Sequence, residues 1–362
     1  MSHRLIQELF PGPIDIVGDI HGEIDALRDL VRHLGYGTDG IHPSGRHLVF
    51  VGDLTDRGPD SPAVLELVSG WVSQGLAQCV LGNHELNLLR NARKEGNGWY
   101  FNDNQDHRNH KFLDSRPVDP QKRPAIEAFL SGLPLVLERA DLRVLHAAWH
   151  KDSIEVIRSS PWSALDLYQH HHDRALRLGE DTGLAQRAKL EMQSIGDTLT
   201  DKDRRPAMLP GIAALDALHQ DANPVNIVTS GLERVAERVF FASGKWRMVD
   251  RFPWWDEYRE ATPVIIGHYW RWPTAAARDA HSRGEPDLFG KHAVHQWFGA
   301  RGNVFCVDFA VGARYKERVD EHHTGFECRL AAVQWPERRL AFDDGRILDL
   351  TAGSPAALEE VA

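Results

Sequence analysis

IDIVGDIHGEIDALRDLVRHL, the sequence of residues 14–34, contains the first strand and the first helix of this 362-residue chain. Its β-branched opening, which ends at Gly18, is typical of a short buried strand. Its second half has apolar residues at helical spacing, which predicts a helix over residues 23–34. The pentapeptide GDIHG, residues 18–22, separates the two elements. The stretch therefore predicts a strand and a helix that are joined by a polar loop.

The same arrangement recurs in the residues that follow. We predict buried strands at residues 47–51 and 77–81, with a helix at 62–75 between them. The second and third strands also end in polar groups, GDLTDRG at residues 52–58 and GNHE at 82–85. Because the carboxyl ends of neighbouring parallel strands meet at one edge of a sheet, all three groups are expected in one crevice. This pattern indicates an α/β fold.

The rest of the chain is less regular, and we interpret residues 1–362 as a single domain. Residues 153–222 are predicted to be a helical insertion that lies over or beside the site. The tail, residues 351–362, is expected to be frayed. Further strands are predicted at residues 133–137, 142–147, 225–229, 264–266, 304–307 and 329–333.

Composition narrows the classes of function. The formal charge of −10 argues against a generic nucleic-acid-binding surface, and the chain has no apolar stretch long enough to cross a membrane. The first ten residues do not resemble a secretory signal, so we expect the cytoplasm. Three cysteines far apart in sequence suit reduced thiols. A basic group at residues 90–94 either contacts a phosphate-bearing ligand or forms a solvated helix face. Whether the chain binds a protein partner is not indicated by the sequence.

The three polar groups supply carboxylate, imidazole and amide side chains. Such oxygen and nitrogen ligands suit Mn, Fe or Zn. One group alone is also compatible with a polar loop whose Asp and Asn residues cap a helix. Three groups in order, each after a strand, favour a metal site, and Asp53 could bridge two ions through its two oxygens.

The order GDxHG, GDxxDRG, GNHE resembles the phosphoprotein-phosphatase branch of the calcineurin-like metallophosphoesterases. That branch includes Ser/Thr protein phosphatases, symmetrical diadenosine tetraphosphatases and bacterial RNA-repair phosphatases. The resemblance covers residues 14–150 and 264–333. It implies a β-sandwich of two mixed sheets flanked by helices, here with a helical insertion.

The resemblance also implies two divalent transition-metal ions, with Mn preferred and Fe or Zn as alternatives. His146, in the sequence LHAA, resembles a family histidine, although His150 lies close by as a rival. His268 resembles the histidine of the family's GH element. The implied ligands of the first ion are Asp19, His21 and Asp53, and those of the second are Asp53, Asn83, His146 and His268.

Three catalytic roles follow from the same resemblance. His84 would protonate the leaving oxygen, and Asp56 would hold His84 in the required tautomer. Arg57 would clamp two phosphate oxygens, or would alternatively be a solvated loop arginine. Glu85 is expected to be structural.

A second arginine is suggested by the sequence RFPWWDEY, residues 251–258, which resembles a segment of the RNA-repair phosphatases. Arg251 would contact the substrate phosphate, or would alternatively pack on Trp254 or Trp255. Trp270 and Trp272 follow shortly after and could stack a nucleotide base, although such residues usually belong to a core.

The resemblance implies hydrolysis of phosphate esters by water that two metal ions activate. We expect a small phosphorylated substrate, of the nucleotide or dinucleoside polyphosphate type. Residues 304–312 support this expectation because they resemble the strand that closes the sheet in the tetraphosphatase subgroup. Alternatives are a Ser/Thr protein phosphatase, a phosphodiesterase, and a metal-binding scaffold without catalytic activity.

Overall fold

The computed structural model describes residues 4–102, 110–112, 114–242, 244–282, 284–319 and 325–352. The strands in these residues are β1 (Ile6–Glu8), β2 (Ile14–Val17), β3 (His47–Phe50), β4 (Ala77–Cys79), β5 (Val136–Arg139), β6 (Leu142–Leu145), β7 (Glu233–Ala242), β8 (Lys245–Arg251), β9 (Val264–Ile266), β10 (Val304–Cys306), β11 (Ala331–Trp335), β12 (Arg339–Phe342) and β13 (Ile347–Asp349).

The helices in the same part of the chain are α1 (Ile24–His33), α2 (Ser61–Ser73), α3 (Asn83–Leu89), α4 (Gly98–Phe101), α5 (Arg123–Ser131), α6 (Lys151–Ser159), α7 (Ala164–Asp181), α8 (Leu184–Ile195), α9 (Pro210–Asp221), α10 (Pro224–Ser230), α11 (Ala275–His281) and α12 (Arg314–Glu317). Single 3₁₀ turns lie at His110–Phe112, Pro120–Lys122, Gly196–Leu199, Trp254–Asp256 and Val311–Ala313.

Two mixed sheets form the centre of the molecule. One has the strand order β1-β5-β6-β9-β10, and the other has the order β13-β12-β11-β2-β3-β4. In the second sheet β2, β3 and β4 are parallel, whereas β11 runs antiparallel to β2. In the first sheet β6, β9 and β10 are parallel. The strands that precede the polar loops therefore run in parallel within each sheet.

The alternation of side chains along β2 and β3 explains how the layers pack. Ile16 and Val49 belong to an apolar cluster that also contains Ile265 and Phe305 of the other sheet. Val17, next to Ile16, belongs instead to a cluster that the apolar faces of α1 and α2 share. Neighbouring strand residues point to opposite sides, so one side packs on the other sheet and the other side on helices. This arrangement confirms the predicted sandwich of two mixed sheets flanked by helices.

The predicted strands and helices around the polar loops are confirmed, with ends that differ by at most two residues from β2, β3, β4, α1 and α2. The strand predicted at residues 225–229 is wrong, because these residues form α10. The side chain of Asn223 accepts hydrogen bonds from the backbone N–H groups of Val225 and Asn226, and Pro224 occupies the first turn. A capped helix start thus overrides the β-branched character of the run.

Residues 153–222 are helical where they form α6 to α9, and their place as an insertion in a single domain stays a prediction. The sequence analysis did not identify the hairpin of β7 and β8, which forms a two-stranded sheet of its own. Most of the predicted frayed tail, from residue 353 onward, lies outside the described residues. None of the helices in the described ranges combines the length and apolar character that spanning a bilayer requires.

Candidate metal centre

Five strand ends place the predicted ligands together. Asp19 and His21 follow β2, Asp53 follows β3, and Asn83 begins α3 just after β4. The remaining two histidines follow strands of the other sheet, His146 after β6 and His268 after β9. All except the partly exposed Asn83 are buried. The six side chains therefore lie together at strand ends of both sheets. The sequence predicted one crevice for the three polar loops, and the two later histidines join it.

One group of donor atoms surrounds Oδ1 of Asp53. His146 Nε2 lies 3.3 Å from this oxygen and 3.2 Å from Asn83 Oδ1. His268 Nδ1 lies 2.9 Å from the same Asn83 oxygen. Asp53, His146 and His268 can offer ligand atoms that all lie within 4.8 Å of one another. This group corresponds to the predicted site of the second ion.

The second group of donor atoms surrounds the other oxygen of Asp53. His21 Nε2 lies 3.8 Å from Asp53 Oδ2 and 3.9 Å from Asp19 Oδ2. His84 Nε2 also lies 3.9 Å from Asp53 Oδ2. The two carboxylate oxygens of Asp53 thus point to two separate groups of nitrogen and oxygen atoms. This is the position that a bridging ligand requires.

The histidine rings are oriented for metal binding by the backbone. His21 Nδ1 lies 3.0 Å from the carbonyl oxygen of Thr55, and His146 Nδ1 lies 2.7 Å from that of Val51. A carbonyl oxygen can only accept, so the proton of each neutral ring is on Nδ1 and the lone pair of Nε2 faces the crevice. Nitrogen and oxygen donors in this arrangement fit a divalent transition-metal ion.

The electrostatics of the centre favour a bound cation. Burial alone would raise the pKa of Asp53, but the imidazoles of His146 and His84 hold it well below its usual range. Burial would lower the pKa of His146, but Asp53 and Asp19 raise it to about 10. Burial and then the carboxylate of Asp308 raise the pKa of Asp19 well above its usual range. The buried carboxylates therefore require positive charge, which a metal ion can supply in place of protons.

The carboxylate of Glu85 holds the loop that carries Asp53. It accepts hydrogen bonds from the backbone N–H groups of Asp53, Leu54, Thr55 and Gly82, at 2.8 to 3.2 Å, and from the Thr55 hydroxyl at 3.1 Å. Burial and then the Asp53 carboxylate raise the pKa of Glu85 to about 7. These contacts agree with the structural role expected for Glu85.

Backbone strain is concentrated around the centre. Positive φ values occur at the non-glycine residues His21, Asp53, Asp56, Arg57 and His268, from 48° to 75°. Such conformations are uncommon outside glycine, and they persist only where surrounding contacts enforce them. The polar loops are therefore shaped to direct their side chains into the crevice.

A hydrogen-bonded series of three side chains leads into the centre. His84 Nδ1 donates to Asp56 Oδ2 over 2.6 Å, and Trp99 Nε1 donates to Asp56 Oδ1 over 2.7 Å. Asp56 and Trp99 are fully buried. Trp99 was not predicted as a site residue, because it lies outside the polar groups and no pattern around it marks a functional residue. With both oxygens of Asp56 bonded, the orientation of His84 is fixed.

Arg57 lies at the edge of the centre and is only partly buried. Its Nη1 is 2.9 Å from His21 Nε2, and its Nη2 is 3.0 Å from His84 Nε2. Its guanidinium carbon lies 5.0 Å from the centre of the Trp270 ring. The backbone N–H of Trp270 in turn donates to Asp308 Oδ2 over 2.9 Å. Arg57 is therefore held between two histidines and an indole. No role was predicted for Asp308 from the sequence.

Arg251 lies beside His268. Its Nη1 donates to the carbonyl oxygen of His268 over 3.4 Å, and its guanidinium lies 5.3 Å from the Tyr269 ring centre. Burial and then the charge of Arg251 lower the pKa of His268. The aromatic contact that the structure gives for Arg251 is thus Tyr269 and not the two tryptophans considered from the sequence.

The remaining aromatic and histidine candidates separate clearly. Trp254 and Trp255 are buried in the main apolar cluster. Trp272 is partly exposed. His150 directly precedes α6, and its Nδ1 lies 2.9 Å from Ser153 Oγ. Of the two rival histidines, His146 is the one that faces Asp53.

Similarity to curated proteins is strong over a short part of the chain. Bis(5'-nucleosyl)-tetraphosphatase PrpE [asymmetrical] of Geobacillus thermodenitrificans is 50% identical over 80 residues, which is 21% of this chain and 33% of that protein. The protein of the same name from Halalkalibacterium halodurans is 51% identical over 79 residues, which is 21% of this chain and 32% of the relative. The alignments thus span about a third of the relatives' length.

A solved structure of a cold-active protein-tyrosine phosphatase from a psychrophilic Shewanella species aligns with 96% of this chain and 82% of that chain. The sequence identity is 14% and the TM-score is 0.45, which is too low to support a conclusion about fold or substrate.

The comparison with protein families covers the part of the chain that carries five of the six candidate ligands. Residues 12–177 match the family described as calcineurin-like phosphoesterase. The matched range includes all three polar loops, His146 and the catalytic candidates of the second and third loops. Residues 12–177, slightly less than half of the chain, are therefore similar to the calcineurin-like phosphoesterase family.

Proposed function

We propose that this protein is a phosphoesterase that depends on two divalent metal ions and hydrolyses small phosphorylated compounds of the nucleotide type. The observation that carries the proposal is the position of Asp53, whose two oxygens face two separate groups of donor atoms. The proposed ligands are Asp19, His21 and Asp53 for one ion, and Asp53, Asn83, His146 and His268 for the other. Manganese is the proposed metal, with iron or zinc as alternatives.

When bound, such ions supply Lewis acidity and lower the pKa of a coordinated water. The chain's own residues must then orient the phosphate and handle the proton of the leaving group. Arg57 presents two N–H groups toward the centre, at Nη1 and Nη2, which matches two oxygens of one phosphate. A bound phosphate would take these N–H groups from His21 and His84, because charged oxygens are the stronger acceptors.

His84 is the proposed general acid. Its Nδ1–H is already held by Asp56, so Nε2 is the atom that would carry the transferable proton. The attacking group would be a water that has released one proton to solvent; its oxygen would bond to phosphorus as the bond from phosphorus to the leaving oxygen breaks. The proton of His84 Nε2 passes to that leaving oxygen. Asp56 and Trp99 act only through His84, as positioning residues.

Arg251 is proposed as a second contact for substrate phosphate. Its guanidinium lies next to His268, one of the proposed metal ligands. It would add charge-assisted hydrogen bonds to oxygens that are not reached by Arg57.

A nucleotide-type substrate is proposed ahead of a folded phosphoprotein. The relatives that share about half of their residues with this chain over some 80 positions are named tetraphosphatases of bis(5'-nucleosyl) compounds. Diadenosine tetraphosphate gives two ADP when the central anhydride is hydrolysed, and ATP with AMP when an outer one is. The product pair therefore shows directly which anhydride bond is cleaved.

The proposal is tested with protein that has been stripped by a chelator and reloaded with Mn²⁺. We expect phosphate release from p-nitrophenyl phosphate and hydrolysis of diadenosine tetraphosphate only after reloading. The substrate class is tested by kcat/KM values for diadenosine tetraphosphate, nucleotides and phosphoserine peptides with the same metal. If kcat/KM for peptides is tenfold higher or more, which corresponds to about 1.4 kcal/mol in transition-state stabilisation, the proposed nucleotide substrate is wrong. The proposed metal chemistry would not be affected.

We also propose that the protein acts in the cytoplasm. All three cysteines are buried and free, as is usual for a protein in a reducing compartment. A fractionation experiment with an antibody against the native protein would test this.

A further inference from the structure

A pocket of about 230 Å³ adjoins the candidate metal centre at Arg57. Its lining includes residues of the hairpin of β7 and β8 together with Trp270 and Trp272. We call it the hairpin pocket, and its residues that matter here are Arg57, Phe240, Arg247, Arg251, Trp270 and Trp272. Pockets for whole ligands usually measure about 300–1,000 Å³, so this pocket suits one part of a larger substrate.

The register of the hairpin directs two arginines into the pocket. Arg247, Val249 and Arg251 occupy alternate positions of β8 and all three line the pocket. Alternate residues of a strand share one face, so both guanidinium groups lie on the same side. Phe240 lies directly opposite Arg247 and also lines the pocket. Met248 and Val249 of β8 both pack in an apolar cluster with residues of α8 and α9, which anchors the hairpin to these helices.

The acidic residues of the pocket are largely offset. The lining contains five arginines and four acidic residues. Arg234 Nε lies 2.9 Å from Asp250 Oδ1, and Arg278 Nε lies 3.2 Å from Asp287 Oδ2. Burial and then the charge of Asp216 raise the pKa of Glu233 to about 7, so its carboxylate carries only part of a charge near neutral pH. With Glu233 only partly charged, the five arginines outnumber the charged acidic residues of the lining, and this positive excess suits a phosphate group.

The pocket also offers aromatic faces. Trp272 and Phe240 are partly exposed where they line it, and Trp272 is held edge-on against Trp270 at 5.5 Å between ring centres. Planar bases stack on such rings without a requirement for a particular base. A small pocket that contains both guanidinium groups and aromatic faces can bind the phosphate and the base of a nucleotide.

The position of the pocket relates it to the leaving group. A general acid must contact the leaving oxygen, and the proposed acid is His84. Arg57 bonds to His84 Nε2 and lines the pocket at the same time. A phosphate clamped by Arg57, with its leaving oxygen at His84, therefore directs its leaving group toward the hairpin.

We propose that the hairpin pocket binds the leaving group of the substrate and selects one that carries both a further phosphate and a planar base, as in a nucleoside polyphosphate. Arg247 binds the further phosphate, and Trp272 and Phe240 contact the base. This inference rests on the function proposed above, but it concerns residues that take no part in metal binding or proton transfer.

The test uses Mn-loaded full-length protein and the variants Arg247→Ala and Trp272→Ala. We measure kcat/KM for diadenosine tetraphosphate and for p-nitrophenyl phosphate, whose leaving group has no further phosphate. The ratio of the two values is expected to fall by about tenfold or more in each variant, in line with the loss of one phosphate contact or one stacked base. Calorimetry should show the matching loss of affinity for ADP.

Two controls keep the outcomes distinct. Arg238→Ala changes an exposed arginine of the same hairpin, and Trp162→Ala an exposed tryptophan, and neither residue lines the pocket. Both should match the parent protein on both substrates. An unchanged ratio and unchanged ADP affinity in Arg247→Ala and Trp272→Ala would overturn the inference. A parent protein that hydrolyses neither substrate would instead refute the proposed function, while ADP binding would still decide the role of the pocket.

Discussion

At the scale of single residues, Asp53 has the most demanding position in the molecule. It follows β3, it adopts a positive φ of 48°, and its two oxygens face two groups of histidines. Asp53 also lies close to Gly82. A Cβ at position 82 would collide with both the backbone N and the Oδ1 of Asp53, so only glycine fits beside it. Such a residue is expected to tolerate no replacement, even by a side chain of the same shape.

Asp53→Asn should therefore lose both metal and activity. The amide keeps the shape but removes the charge and one acceptor, and both ions would be affected. Replacing a residue that hydrogen-bonds to a metal ligand typically lowers metal affinity or activity by about 10- to 100-fold. Replacing the bridging ligand itself should therefore cost more than about 100-fold. Metal content is measured by elemental analysis beside kcat/KM. The matched control is Asp25→Asn, an exposed aspartate of α1, and full activity in metal-depleted Asp53→Asn would contradict the proposal.

His84→Ala tests the role of the acid. The variant should lose about 10²- to 10⁴-fold in kcat on alkyl phosphates, and much less on aryl phosphates, whose leaving groups need no proton. The measurement is kcat on both substrate types with metal content unchanged. Equal losses on both would show that His84 serves the metal centre and not the leaving group, which its distance of 3.9 Å from Asp53 Oδ2 also permits.

At the scale of secondary-structure elements, the hairpin of β7 and β8 joins the helical segment to the candidate centre. Its strands pack against α9, and its last residue, Arg251, reaches His268. Glu233 begins β7 directly opposite Arg251. The raised pKa of Glu233, about 7, means that the folded protein holds a proton that the unfolded chain releases near pH 4.5.

This difference predicts how the stability of the hairpin depends on pH. Because the folded state binds the proton more tightly, the contribution of Glu233 to stability is complete below about pH 4.5 and is lost as the pH rises to about 7. Glu233→Gln should therefore have a higher Tm than the parent at pH 8, with no difference at pH 4.5. Thermal unfolding at both pH values measures this. Glu237→Gln, an exposed position of the same strand, should show no such pH-dependent difference.

The elements show where sequence patterns suffice and where they fail. Around residues 14–85 each strand is a compact apolar run followed by a polar loop, so the strands and helices could be predicted from the sequence. The run at 225–229 looks like a strand because it is apolar and β-branched, but Asn223 caps it as a helix. The hairpin was missed because its alternation is interrupted by a shift in register between Val235 and Phe240. Local patterns do not reveal such irregularities.

The candidate site was predictable to a similar extent. The three loops place Asp19, Asp53 and Asn83 by their motifs, whereas His146 and His268 could be chosen only through the family resemblance. Trp99 could not be found, because its contact with Asp56 joins residues that are 43 positions apart in sequence. Tertiary contacts of this kind follow from the packing of the fold and leave no trace in sequence spacing.

At the scale of the whole molecule, the centre is assembled from both sheets. The candidate ligands run from Asp19 to His268, and the Asp19 carboxylate accepts hydrogen bonds from the backbone N–H of His268 at 3.1 and 3.2 Å. Metal binding should therefore be linked to the stability of the entire sandwich and not to one loop.

We expect Mn²⁺ to raise the Tm of chelator-treated protein. A ligand that binds only the folded state adds about 2.7 kcal/mol to the free energy of unfolding at 100 times its Kd. Thermal unfolding across a Mn²⁺ titration measures the effect. Asp53→Asn should show a much smaller increase, and an equal increase in both proteins would mean that the ion binds elsewhere.

The single carboxylate of Glu85 has a consequence for solvent exchange. It accepts hydrogen bonds from the N–H groups of Asp53, Leu54 and Thr55. These residues lie in a loop, where amide hydrogens ordinarily exchange rapidly with deuterium from the solvent. With these donors tied to one buried acceptor, none can open without releasing the others. In a deuterium labelling experiment, the loop should consequently behave like the interior of a sheet, and its amides should become labelled together.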